Sequence, residues 1–575
     1  MIKYLKERYF IIVIFFLYTI FFLFISPLHE FMVADSWYNA IGVKDFLTTH
    51  QIKIPESSSS SLVFQILWGA LFCYFSKGFS FGMLNLSTFV LSLAGTISFY
   101  LILRRLKFKE ILCVLGTLCL MLNPLYFFLS YTFLTDLPCF SLMLISLFFY
   151  LKGLDDDNNK ILFLGSIFSA FSFLIKQYGV LIPFAVGIHM VILYKNNHKI
   201  LFNKIISACL FPLCVFVIYL IWFFVFFLPK STLAYCYLLY QYARGKPDQL
   251  LWILTYSGFF ASPLLLGCPI VFEKIYKNKK ILLYGIFITF IIVICAFISF
   301  ARGPIYATDN LMPYMGGIIN KWGLGPISIV GNKSIYFNFI FKLLITIISV
   351  LSALILTIAF IIWAQKYPKN NNRNIIFIAG ILQMAVMLFL LPGFWDYDFV
   401  FFLPMSILLT LDLAERIKFN YPSIILGLCL MTFYSICGTK DYMNWNEVRW
   451  KAADQLLKEK VPPNRIEGGF EWSGFLFSDS AAEKFRKELE AGVRVSLLYR
   501  YRWLGYIEPK YDPIYIISFS PSLDKGEYLN RLCLIRTTSL IESKYKYSMF
   551  RKMPYYNILR FRKEYIYVLK REDMS

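Results

Sequence analysis

The sequence predicts a polytopic, all-α membrane domain of about 13 helical spans, followed by a smaller soluble α/β domain. Three observations predict it. The 575 residues are 58% hydrophobic and 19% aromatic, with a mean hydropathy of +0.61. Only 16% are charged, where soluble globular proteins carry roughly 25%. The charge is also uneven: residues 438–575 hold 25 of the 57 Lys and Arg and 18 of the 35 Asp and Glu. These values exclude a soluble enzyme, a disordered chain and a fibrous repeat. They divide the chain into a lipid-embedded domain, 1–437, and a water-soluble one, 438–575.

A helical span needs roughly 20 apolar residues. Such runs fall near 9–26, 79–103, 110–130, 137–151, 161–175, 179–194, 204–228, 250–272, 281–300, 335–364, 375–391, 399–413 and 421–437. The first is too long, and lacks a small-residue cleavage site, to read as a cleaved signal peptide. The brief apolar segment 62–76, beside Lys77, reads as a helix at or dipping into the interface. In the tail, 449–460 and 480–491 read as helices, and YDPIYIISFS (511–520) and KEYIYVLKR (563–571) as strands.

The net charge of +22 comes from short basic clusters between apolar runs. That pattern is topological, with Lys and Arg on cytoplasmic loops, and no nucleic-acid partner is expected. With the N-terminus inside, 21 of the membrane domain's 32 basic residues fall on inside segments. The odd number of spans then puts the tail outside. The expected location is a plasma (inner) membrane, with a cytoplasmic N-terminus and an extracytoplasmic C-terminal domain. Of 12 cysteines only Cys533 lies in the tail, and no CxxC or Cys/His cluster appears. Four scattered histidines give no zinc set.

The chemistry-bearing residues gather on the outside segments. The first loop, HEFMVADSWYNAIGVKDFLTTHQIKIP (29–55), reads as an amphipathic surface helix that carries Asp35 near the bilayer boundary. A carboxylate there is costly to keep ionised unless it is paired or wet. The next outside turn, in FLSYTFLTDLPCFSLMLISLFFYLKG (128–153), places Asp136 before Leu137 and Pro138 at the start of a span. Its plain explanation is a helix cap. In FSFLIKQYGVLIPFAVG (171–187), Lys176 interrupts two apolar runs at an outside turn. It reads as a snorkelling lysine or as a cation for an anionic head group. No Asp-x-Asp sits in the first loop, so the sequence makes no case for a metal or other cofactor. The pair in Asp396-Tyr397-Asp398 has the oxygen ligands for a divalent ion, but reads better as a solvated turn.

In order, spacing and sidedness these features resemble the GT-C glycosyltransferases. The likeness is to the branch of bacterial lipid A aminoarabinose transferases and dolichyl-phosphate-mannose protein mannosyltransferases, over roughly residues 9–440. GMLNLSTFVLSLAGTISFYLILRRL (82–106) is similar to that family's second-span region ending in paired arginines. WDYDFVFFLPMSILL (395–409) is similar to its late RYFLP-type segment, with Asp398 where the family has arginine. WNEVRWKAADQLLKEKVPPNRIEGGFEWSG (445–474) looks like a segment after the last span of bacterial members. Two departures stand out. The family's acidic Asp-Glu pair is here Asp35-Ser36, and its Pro-rich entry is replaced by Ser57–Ser61, which reads as a flexible loop.

The resemblance implies transfer of a sugar from a polyprenyl-phosphate donor to a lipid, glycan or protein acceptor at the outer membrane face. Asp35 matches the position of the catalytic Asp and would take the acceptor's proton. Asp136 matches the second acidic position. The leaving phosphate needs cations, and Lys176, Arg244, Lys246 and Arg302 are the candidates. The tail is expected to shape the acceptor entrance. The alternative is a transporter or flippase of lipid-linked sugars. It is disfavoured because no internal repeat appears and the acids sit at one face rather than at mid-depth.

Overall fold

The computed structural model describes residues 2–55, 58, 60–227, 248–267, 317–331, 333, 336–365, 371–390, 395–415, 420–476, 513–523 and 546–574. Arg244, Lys246, Arg302, the expected span 281–300 and the expected helix 480–491 lie outside the described residues.

Helix α1 (Ile2–Ile25) shows how a lipid-facing helix is built. Phe10, Ile14, Tyr18, Phe21 and Ile25 are buried, while Ile12, Phe15, Phe16, Ile20 and Leu23 are exposed. Both faces are apolar, because lipid is no less apolar than the protein interior. Packing and buried polar contacts therefore decide which face turns inward. The Tyr18 hydroxyl meets Thr96 Oγ1 at 2.8 Å, Thr96 meets the Tyr126 hydroxyl at 3.0 Å, and Tyr126 donates to the Ser92 carbonyl at 2.6 Å. This chain ties α1 to α4 (Phe81–Arg105) and α6 (Pro124–Leu129).

Helices α2 (Ser36–Thr49) and α3 (Val63–Phe75) follow α1 and precede α4. The expected span 110–130 is two helices, α5 (Glu110–Met121) and α6. They break where Asn123 Oδ1 accepts from the Leu125 N–H at 3.0 Å and Pro124 opens the next helix. Helix α7 (Asp136–Asp155) packs on α4 and on α8 (Asn159–Phe173). Small residues allow the approach: a Cβ on Gly95 would lie 2.9 Å from the Ser141 side chain. A 3₁₀ turn, Gln177–Val180, leads into α9 (Leu181–Tyr194). Helices α10 (His198–Ile205) and α11 (Phe211–Trp222), α12 (Asp248–Leu265), α13 (Phe339–Gln365), α14 (Asn374–Ala385) and α15 (Leu403–Ala414) come next. Among the described residues seven helical stretches are long and apolar enough to cross a membrane, and shorter apolar helices lie between them.

The last helix, α16 (Tyr421–Lys458), runs unbroken for 38 residues and contains the compositional boundary at 437/438. Beyond it a four-stranded sheet forms in the order β3-β4-β6-β5. Its strands are β3 (Ile466–Glu467), β4 (Tyr515–Ser518), β5 (Tyr547–Asn557) and β6 (Arg562–Arg571). Strand β4 pairs parallel with β3 and antiparallel with β6. A two-stranded ribbon, β1 (Ile319–Asn320) and β2 (Gly323–Leu324), packs against α16. Ion pairs gather at the opposite end of the bundle. Arg105 holds Asp155 at 3.1 Å and Asp156 at 3.0 Å, and Arg373 pairs with Asp412 and Glu415.

Candidate active site

Asp35, Asp136 and Lys176 come from three separate turns and lie within electrostatic reach of one another at the sheet-bearing end of the bundle. Asp35 occupies the N-cap position of α2, immediately outside the helix that was expected to contain it, and its side chain makes no cap bond. The helix itself is not laid on a lipid surface. It buries Ser36, Trp37, Asn39, Ala40, Gly42 and Val43: Asn39 donates to the Phe133 carbonyl at 3.1 Å, Gly42 lies against Ile66 of α3, and Trp37 packs on Phe470 and Gly474 of the segment after β3. The ring of Trp37 lies so close to Gly474 that a Cβ there would be 2.6 Å away.

The residue before Asp35 is strained. Ala34 has φ +47, a left-handed conformation that costs an L-residue about 1–2 kcal/mol. Its N–H donates to Glu471 Oε1 at 3.0 Å. Glu471 also accepts from Ser328 Oγ at 2.6 Å and from Arg449 Nη1 at 2.8 Å. Both members of the Arg449–Glu471 pair are 0% exposed. The Arg449 Nε and Nη2 have no partner among the described residues. A carboxylate from the tail thus fixes the turn that presents Asp35. Burial pushes the Asp35 carboxyl up to about 6, with Glu471 and then Asp136 adding to it and Lys176 opposing.

Asp136 is the first residue of α7 and does more than cap it. Its Oδ1 accepts from Lys176 Nζ at 2.6 Å, and the same ammonium donates to Asp398 Oδ1 at 2.8 Å. Burial pulls the Lys176 ammonium down, but Asp136 and Asp398 outweigh it and hold the group well above its ordinary value. The ammonium also lies 4.9 Å over the Tyr178 ring and 5.8 Å from the Tyr397 ring centre. Lys176 is therefore not a snorkelling side chain.

The Asp396–Asp398 reading as a solvated turn is corrected. Both carboxylates are buried in a 3₁₀ segment, Asp396–Phe402. Asp396 accepts backbone N–H groups from Ile318 and Ile319 at 2.7 Å each, and Asp398 Oδ2 accepts from the Trp395 N–H at 2.9 Å. Amide donors and an ammonium satisfy these oxygens, and among the described residues no group of three metal-ligating side chains forms. The flexible-loop reading is corrected too at Ser58, Ser60 and Ser61, Ser57 and Ser59 lying outside the described residues. Ser58, Ser60 and Ser61 are buried, Ser60 Oγ meets Thr135 Oγ1 at 3.3 Å, and Leu62 N–H donates to the Ile175 carbonyl. These bonds hold Ser60 at the Asp136 turn and Leu62 at the Lys176 turn.

Sequence reasoning set Asp398 aside as part of a solvated turn and did not single out Glu471, and both lie in this cluster. The available signals were the paired acids around Tyr397, which lies within electrostatic reach of Asp35, Asp398 and Asp136, and for Glu471 its place in the 445–474 segment. Arg244, Lys246 and Arg302 lie outside the described residues. What remains is a partly buried carboxylate with a raised pKa, within electrostatic reach of an ammonium shared by two further carboxylates. Such a set can take a proton from a hydroxyl or amine.

No curated protein matches the chain by sequence. Among solved structures, ArnT from Cupriavidus metallidurans in the apo state aligns over 98% of both chains, at 12% identity and a TM-score of 0.39. The archaeal oligosaccharyltransferase AglB from Archaeoglobus fulgidus, in complex with an inhibitory peptide and a dolichol-phosphate, aligns over 80% of this chain and 60% of its own, at 12% identity and a TM-score of 0.41. Residues 63–222, which carry Asp136 and Lys176, match the protein family described as dolichyl-phosphate-mannose-protein mannosyltransferase.

Proposed function

We propose that the chain is an integral-membrane glycosyltransferase. It moves a sugar from a polyprenyl-phosphate donor to a lipid, glycan or protein acceptor at the membrane face that carries the sheet. The observation that carries this reading is the convergence of Asp35, Asp136 and Lys176, two of them within the segment that matches the mannosyltransferase family.

In this mechanism the acceptor's oxygen or nitrogen attacks the anomeric carbon as its proton passes to the Asp35 carboxylate. The bond from that carbon to the phosphate oxygen breaks, and the lipid phosphate leaves with the electron pair. Asp35 is suited to the step because its raised pKa lies near working pH. Asp136 orients the acceptor and holds Lys176. Lys176 is one contact for the leaving phosphate. Two carboxylates already share its charge, so the donor needs further cations, for which Arg244, Lys246 and Arg302 are the proposed source. No metal enters the scheme. The sheet-bearing face is taken as extracytoplasmic, on the strength of the basic-residue bias.

The test is to present purified protein with a panel of polyprenyl-phosphate sugars and candidate acceptors, reading release of free polyprenyl phosphate. One donor should give release. In that assay Asp35→Asn should lower turnover by roughly 10²-fold or more at nearly unchanged donor affinity. Near-normal turnover per folded molecule in Asp35→Asn would remove Asp35 from the mechanism.

A further inference from the structure

The hairpin formed by β5 and β6 hangs beside α16, and its tip points back toward the lipid. Three observations fix this direction. Residues 421–439 of α16 carry no charge; such a stretch spans roughly 30 Å, so the helix leaves the apolar layer near Lys440 and Asp441. Lys440 Nζ sits 5.8 Å from the ring centre of Phe24, at the end of α1, which marks the same level. The hairpin tip is tied there. Asn557 bonds the Tyr336 hydroxyl, Tyr336 donates to Asp441 Oδ2 at 2.9 Å, and Asn444 donates to the Tyr556 carbonyl at 3.0 Å. The middle of β5 is tied about 25 Å further along, at the C-terminal end of α16, where Arg551 pairs with Glu459 at 2.7 Å.

The tip has the chemistry of an interfacial anchor. Its sequence is Leu559-Arg560-Phe561-Arg562-Lys563. Phe561 is 69% exposed and has φ +52, a conformation uncommon for a bulky side chain and therefore worth a functional reading. Beside it Tyr556, which pairs with Lys563 across the hairpin, is half exposed, and Arg562 and Lys563 are exposed. Glu564 pairs with Arg562 at 2.9 Å and lies 3.6 Å from Arg560, so the tip keeps a net positive charge. The neighbouring first turn of α13, Phe339, Ile340 and Phe341, is exposed and apolar. Arg560 stacks over Tyr336, just before that turn, at 5.0 Å.

We propose that the hairpin tip seats on the bilayer, with Phe561 and Tyr556 among the upper acyl chains and Arg562 and Lys563 on the phosphates of anionic phospholipids. An aromatic flanked by basic residues suits that boundary. The contact would hold the sheet, and with it the Glu471 arm, at fixed height over the bundle. It does not rest on the glycosyltransferase reading.

The test uses the full chain in nanodiscs, with p-benzoylphenylalanine placed at position 561 or, as a control, at 549 near the far end of the hairpin. Irradiation in phosphatidylcholine containing phosphatidylglycerol should give lipid adducts at 561 and none at 549. Phosphatidylglycerol should be over-represented in them by roughly tenfold, and Arg562→Gln with Lys563→Gln should abolish that enrichment while the adducts persist. Absence of lipid adducts at 561, equal adducts at both positions, or adducts to added glycan in their place would overturn the proposal, as would enrichment that survives the double substitution.

Discussion

A carboxylate that must accept a proton near neutral pH needs a site that destabilises its charge without leaving it stranded. Asp35 meets both conditions: burial, Glu471 and Asp136 raise its pKa to about 6, and Lys176 limits the rise. If Asp35 is the base, only its ionised form is active, so transfer should climb with pH through a single acid limb near 6 and flatten above it. The same shift has a consequence for stability. A carboxyl whose folded pKa is raised stabilises the fold below its unfolded value near 4 and loses that contribution as pH rises through about 6. Melting temperatures of the parent and Asp35→Asn, compared from pH 4 to pH 8, should therefore shift in favour of the variant as pH increases. A pH-independent difference would mean that Asp35 has no raised pKa.

The segment after β3 works as an arm reaching back over the bundle. Its Glu471 fixes the strained Ala34 turn, and its Gly474 lets Trp37 pack beneath it. Glu471→Gln keeps an oxygen for the Ala34 N–H but removes the negative charge. We expect the acid limb of transfer to move below 6, because one of the terms holding Asp35 up is gone. The same change leaves Arg449 buried without its partner, at a cost of about 3–5 kcal/mol. Adding Arg449→Met should recover much of that stability while the limb stays shifted. A limb that stays at 6 in both variants would assign the arm a purely structural part. Ser58, Ser60 and Ser61 show a related effect: they belong to a polar run that reads as loop, yet they are buried, Ser60 bonds Thr135 and the adjoining Leu62 N–H donates to the Ile175 carbonyl, contacts that local sequence does not reveal.

Helix α16 joins the two compositional domains without a break, so the sheet is carried on a rigid rod rather than a linker. If the basic-residue bias sets orientation, an alkaline phosphatase fused after Ser575 should be active and a fluorescent protein that matures only in the cytoplasm should stay dark. The opposite pair of results would put Asp35, Asp136 and Lys176 on the cytoplasmic side, and with them the proposed site of transfer.

Apolar runs were enough to place most described helices, because a bilayer demands a nearly continuous hydrophobic stretch wherever the chain crosses it. Ionisable residues at span ends drew attention to Asp35, Asp136 and Lys176, because charge is rare and costly there, and folding brings the three within electrostatic reach of one another. Asp398 and Glu471 were beyond that reasoning. Asp398 meets Lys176 across 222 residues, and Glu471 reaches Ala34 across 437. A buried carboxylate and a solvated one look alike in sequence, since what separates them is the partner that folding brings within 3 Å or so. The tertiary structure also decided which face of each apolar helix turns inward, because lipid and protein interior are equally apolar and only packing and buried polar contacts tell them apart.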